Sequence, residues 1–286
     1  MQTSNDTLDD AKLEKILSGV RIPPQPNLLL ELQEEQKKPS PNINKLCTII
    51  CKDVALSASV LKTVNSPFYG LPRKIDSVQR AVMLLGLKNV LNIVRAFCLR
   101  NVMADNAVSL ERFWETATDV ANICMAVGNR FLMKNADELY SLGLFHDCGI
   151  AVLAQKFPDY KQILKTGNGM IGRPITDAED EAYQTNHAVV GYYMAKSWNL
   201  SPNICDVVQF HHDTEKMFSS NDTDADKNQL MAVLKMAGNI SHSFRRLAED
   251  HEWDAIKEQV LAKFAITDEE YVDLKEDIFE MLHANV

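Results

Sequence analysis

Histidine and aspartate recur along this chain in an order that could hold a metal ion. His146-Asp147 sits in SLGLFHDCGI, His187 follows in TNHAVVG, and His211-His212 closes the run in VVQFHHD. Imidazole nitrogens and carboxylate oxygens are the donors that bind divalent iron, zinc or manganese. One lone histidine is more often a satisfied core residue than a ligand. Three clusters on separate helices, one of them carrying an aspartate whose two oxygens can reach different ions, weigh more. His146, Asp147, His187, His211 and His212 are therefore the candidate ligands. They are expected to converge in one pocket with room for one divalent metal, Fe, Zn or Mn.

The elements that must position them read as helices. With 11 Gly and 10 Pro among 286 residues, long stretches lack both breakers. RIPPQP is extended, because each proline disfavours helix in the residue before it. NLLLELQEEQKK follows as a helix. Asn42, Asp53 and Ser77 begin further helices, the first two as caps. Asn65-Ser66-Pro67 stops one, with Asn65 suited to a left-handed turn, and Gly86 stops another. A polar MADNAVS segment divides an N-terminal lobe from a second one. In that second lobe Asp137 is expected to cap the helix bearing His146-Asp147, and Thr176 with Glu179 forms a capping-box pattern. No β-alternation rises above noise, so the expected class is all-α.

Composition narrows the function classes. The net charge of −9 argues against general nucleic-acid binding. Residues 61–100 run against this trend, with seven Lys or Arg and one Asp, a balance of +6. Lys62, Arg73, Lys74, Arg80 and Lys88 are the candidate interaction surface there. Residues 249–286 hold twelve Asp or Glu and three Lys, a balance of −9. No apolar run approaches the roughly 20 residues of a membrane span. The polar N-terminus lacks the pattern of a signal peptide. Six scattered cysteines read as buried thiols in a reducing compartment. The expected location is cytoplasmic, without a membrane partner.

The order HD, then H, then HH resembles the HD phosphohydrolase superfamily. In the N-terminal lobe, IPPQP, KDVALSASVLKTVNSPFYG and IDSVQRAVMLLGLKNV are similar to the hallmarks of HDOD domains, HD-related output domains of bacterial signalling proteins. The resemblance covers residues 20–215. It implies a multi-helix HD-like bundle, with an N-terminal lobe over 20–105 and an HD-like lobe over 106–215. Residues 1–19 form an extension, and 216–286 a C-terminal helical extension packing on the HD-like lobe.

Departures from the catalytic pattern decide the expected function. Thr116, in FWETATDV, stands where catalytic relatives place an earlier metal-binding histidine. Asn239, in MAGNISHS, replaces their late aspartate. Ala151 stands where the signalling phosphodiesterases place a lysine, and no Gly-Tyr-Pro follows His212. The expectation is a non-catalytic regulatory module that works through a signalling protein partner and carries a degenerate metal site. The alternative is a metal-dependent phosphohydrolase acting on a nucleotide or phosphoester.

Overall fold

A computed structural model describes residues 17, 19–104, 110–134, 136–168, 173–214, 218, 225–246 and 250–285. The N-terminal LDDAKLEKIL stretch lies almost wholly outside the described residues. So do most of the MADNAVS segment, residues 169–172 and residues 219–224. Among the described residues there is no strand, and the fold is all-α. None of its helices is long and apolar enough to cross a membrane.

The N-terminal lobe follows its local signals closely. An extended run through Pro23, Pro24 and Pro26 leads into α1 (Asn27–Gln36). The side chain of Asn42 accepts from Lys45 N and begins α2 (Ile43–Cys51). Asp53 accepts from Leu56 N and begins α3 (Val54–Val64). Ser77 does the same for α4 (Val78–Leu85), and Gly86, at φ 80°, turns the chain into α5 (Leu87–Val102). Leu46, Ile50, Leu56, Val60, Val64, Val90 and Val94 have no exposed surface, so the apolar stripes of these helices meet in one core.

Asn65 differs from its expected role. Its φ of −87° is not left-handed; Gly70, at φ 57°, takes that conformation after a 3₁₀ turn at Pro67–Tyr69. Asn65 instead clamps the loop. Its Nδ2 donates to Leu61 O and Ile75 O, both at 2.8 Å, and its Oδ1 accepts from Ile75 N at 2.7 Å. The clamped turn packs against the second lobe and the C-terminal helix.

The next helices are α6 (Glu111–Arg130), α7 (Ala136–Phe145), α8 (Cys148–Lys156), α9 (Tyr160–Asn168), α10 (Ile175–Tyr183), α11 (His187–Ser197) and α12 (Pro202–Phe210), the expected second lobe. Helix α7 begins at Ala136, so Asp137 lies inside it and is not its cap. At Gly143 the backbones of α6 and α7 nearly touch: a Cβ there would lie 2.6 Å from Ala121 Cα. The lobes join where α5 packs on α7. Trp198 Nε1 also donates to Pro23 O at 3.0 Å, strapping the extended segment to the second lobe.

Three helices complete the fold, α13 (Ala225–Arg246), α14 (His251–Phe264) and α15 (Asp268–Ala284). Helix α13 lies across α6 and α12, and Arg245 pairs with Asp119 at 2.6 Å. Ion pairs of the acidic C-terminal segment run to Lys235 and Lys257.

Removing the clamp tests its weight. Asn65→Ala deletes three hydrogen bonds and leaves backbone groups of Ile75 without their partners. We expect a loss of about 2 kcal/mol in urea unfolding, at unchanged m-value. An unchanged midpoint would show that the turn holds without its clamp.

Candidate metal centre

The His146-Asp147 pair lies at a break between helices, not within one. His146 N still bonds Leu142 O, completing α7, while Asp147 is the residue before α8 and caps it with no side-chain bond. Its carboxylate is thereby left for other partners. His187 is the first residue of α11, after Asn186, whose side chain caps that helix. His211 and His212 follow directly on the end of α12.

Four of the five candidates come together. One donor atom each from Asp147, His187, His211 and His212 lies within 4.8 Å of the others. His211 Nε2 is 3.2 Å from Asp147 Oδ1, His187 Nε2 is 3.5 Å from the same oxygen, and the Nε2 atoms of His187 and His212 are 3.0 Å apart. Donors about 2.1 Å from one ion in tetrahedral array are about 3.4 Å apart. His146 stands beside this group, its Nε2 3.2 Å from the other oxygen, Asp147 Oδ2.

The remaining ring nitrogens set the chemistry. Nδ1 of His146 lies 2.7 Å from Gly143 O, and Nδ1 of His211 lies 2.7 Å from Val208 O. Nδ1 of His187 lies 2.6 Å from Glu179 Oε2. Carbonyl and carboxylate oxygens only accept, so each Nδ1 carries the proton and donates. The three Nε2 atoms then present lone pairs toward one carboxylate and one another. That arrangement is repulsive unless a proton or a metal ion lies among them, and an oxygen acceptor behind each imidazole is the usual support of a metal-ligating histidine.

Charge balance at the centre follows from these contacts. Burial works against the Asp147 anion, yet His146, His211 and His187 hold its carboxyl well below the usual range. Burial lowers His187, but Glu179 and Asp147 outweigh it and raise that imidazole. Burial drives His211 down to about 4 against the pull of Asp147. His212 is pushed down by burial, then by His211, His187 and Lys235. Burial and the adjacent carboxylate raise the Cys148 thiol, leaving it a neutral core group.

Glu179 was legible only as a helix cap. Pro174, in extended conformation, precedes α10, so Thr176 lies inside the helix and no capping box forms. The Glu179 carboxylate is fully buried and accepts from Tyr160 Oη, His187 N and His187 Nδ1. Burial would raise its pKa, but His187 leads the contacts that lower it. The polar atoms of Thr116 and Asn239 are engaged elsewhere. Thr116 Oγ1 donates back to Arg112 O at 2.9 Å. Asn239 accepts from Tyr271 Oη at 2.7 Å and donates to Asp250 at 3.1 Å. Ala151 is core, with no exposure.

A cleft of about 500 Å³ opens beside His212, lined by residues that include Asp177, Asn186, Gln209, Phe210 and Asp213. Among the described residues its lining contains no Lys or Arg.

The comparisons with known proteins agree with this architecture. The family model for the HDOD domain matches residues 22–214. This chain belongs to the HDOD family. An uncharacterized protein of Treponema pallidum is 25% identical over 195 residues, 67% of this chain and 37% of that protein. Another curated relative is covered to 32%, so the chain spans about a third of their lengths. A structure from Shewanella amazonensis, provisionally named a phosphohydrolase, superposes with a TM-score of 0.71 at 22% identity, over 96% of this chain and 95% of that one. One from Marinobacter aquaeolei, provisionally named a signal transduction protein, gives 0.62 at 18% identity over 96% of this chain and 61% of that one. The likeness of fold to these structures therefore extends over the helices after residue 214.

Gly149 tests how the centre is held. A Cβ there would lie 2.0 Å from His187 O, a backbone atom that cannot move without α11. Gly149→Ala should cost about 3 kcal/mol or more, through forced separation of α8 and α11. Gly238→Ala, which faces open space on α13, should be neutral or stabilise by up to about 1 kcal/mol. Equal effects from the two would refute the close contact.

Proposed function

We propose that this chain is a regulatory module of a bacterial signalling system, cytoplasmic and non-catalytic, which works by contact with a protein partner. Its His/Asp centre serves as a one-metal structural site, with Asp147, His187, His211 and His212 as ligands and His146 supporting Asp147. The observation that carries this reading is the donor count. Among the described residues this cluster is the one group of three or more His, Cys, Asp or Glu with donors close enough to share an ion. A two-metal clamp on the attacking and leaving oxygens needs a second set. Bound by these side chains, a divalent ion would supply a neutralising cross-link between the α7–α8 break, α11 and the end of α12.

The alternative, a metal-dependent phosphohydrolase for a nucleotide or phosphoester, has the cleft beside His212 in its favour. The lining gives it little support: among the described residues it contains Asp177, paired with Arg173 at 2.9 Å, and Asp213, but no Lys or Arg to meet a phosphate.

The partner surface is proposed on the N-terminal lobe. Lys62, Arg73, Lys74, Arg80 and Lys88 are exposed, with Arg80 pairing to Asp76 at 2.8 Å. Arg95, counted in the same basic stretch, is turned inward and belongs to no such surface. The lobe division near residue 105 and a C-terminal extension from 216, buttressing α6 and α12, complete the proposed organisation.

Purified protein should carry about one equivalent of Fe, Zn or Mn, and Glu179→Gln should weaken its affinity about 10–100-fold. Loaded with each metal, it should not turn over cyclic dinucleotides, nucleoside phosphates or a chromogenic phosphodiester. Turnover that Asp147→Ala abolishes would favour the hydrolase instead. Reversing charge at Arg73→Glu and Lys74→Glu should weaken partner binding about tenfold at low salt, with less effect at high salt. Unchanged affinity would reduce this patch to a solvated face.

A further inference from the structure

A second pocket, of about 150 Å³, lies between the two lobes, away from the histidines. Helix α5 contributes Lys88, Asn92 and Arg95, α7 contributes Glu138 and Ser141, and Ser201 comes from the start of α12. Arg95 is its most informative member. Its guanidinium is largely buried, and both of its side-chain hydrogen bonds use Nη1, to Asn92 Oδ1 at 2.7 Å and Ser141 Oγ at 3.5 Å. Both partners are neutral. Nε is buried with no acceptor among the described residues.

An arginine head taken out of water is costly unless its donors are met. Burial disfavours its charge, and the Glu138 carboxylate acts the other way. Glu138 is itself engaged, its Oε2 accepting from Ser201 Oγ at 2.7 Å. With Nη1 fixed by Asn92, the Nε–Nη2 edge remains, the edge by which a guanidinium takes two oxygens of one oxyanion. Lys88 is a second cation in the lining, which among its described residues includes one carboxylate, Glu138. The volume would hold about five waters at about 30 Å³ each, or one group of phosphate size.

We propose that this interlobe pocket binds a phosphate-sized oxyanion, as free phosphate or as the phosphate of a small metabolite, with Arg95 as its bidentate anchor. The ligand would bridge both lobes. It would also sit at the start of α12, whose far end, about 14 Å away along nine residues, carries His211 and His212. The basic pocket thus offers an input site separate from the acidic cleft beside the candidate metal centre.

Inorganic phosphate on the full chain is the probe, compared with chloride at equal ionic strength, with and without a chelator. We expect about 20 mM phosphate to raise Tm by about 3 °C in both conditions, and Arg95→Met to weaken the apparent affinity at least about tenfold. Lys88→Gln should weaken it less. If Arg95→Met does not fold, the Nε–H resonance of Arg95 in the natural chain decides, and it should shift on phosphate titration. An inorganic phosphate that binds while glycerol phosphate does not would identify the free ion as the source. No phosphate-specific shift, a shift abolished by the chelator, or a shift that survives Arg95→Met would overturn the proposal.

Discussion

The carboxylate of Glu179, wholly withdrawn from water, is the group on which the centre depends. A buried anion costs several kcal/mol unless it is fully paired. Here Tyr160 Oη, His187 N and His187 Nδ1 all donate to it. These bonds do more than satisfy the charge. They fix the start of α11, choose the tautomer of His187, and so aim its Nε2 at Asp147 and His212. The close passage of α11 over Gly149 then holds that aim, because neither backbone has room to shift.

Position also explains why the remaining donors agree. Asp147 sits at a break between α7 and α8, where its side chain owes nothing to a helix end. His211 and His212 sit just past the end of α12, where successive residues can both turn toward one point. Helix termini therefore supply the four donors, while helix interiors supply the packing. Among the described residues there is no second donor set: Thr116 and Asn239 direct their polar atoms to a helix carbonyl and to partners in the C-terminal segment.

Charge is divided between two cavities. Among the described residues the cleft beside His212 is lined by two aspartates and no Lys or Arg, whereas the interlobe pocket contains Lys88 and Arg95. The N-terminal lobe contributes the second pocket through α5, and the Asn65-clamped turn packs that lobe onto the rest of the chain.

Much of this was legible along the chain. Helix starts at Asn42, Asp53 and Ser77, the stop at Gly86 and the order of the histidines depend on residues within a few positions of one another. The all-helical class and the HDOD resemblance followed from the same short-range signals. Where those signals competed with burial, the sequence misled. Glu179 resembled a capping partner of Thr176, Asp137 a cap, and Arg95 one more surface cation. Glu179 and Arg95 each have a local pattern identical to that of an exposed residue. Only the packing of α10 against α11, the true start of α7 at Ala136 and the approach of α5 to α7 decided otherwise. Spacing in sequence determines which face of a helix a residue occupies; which faces are covered, and by what, is decided by contacts between residues far apart in the chain.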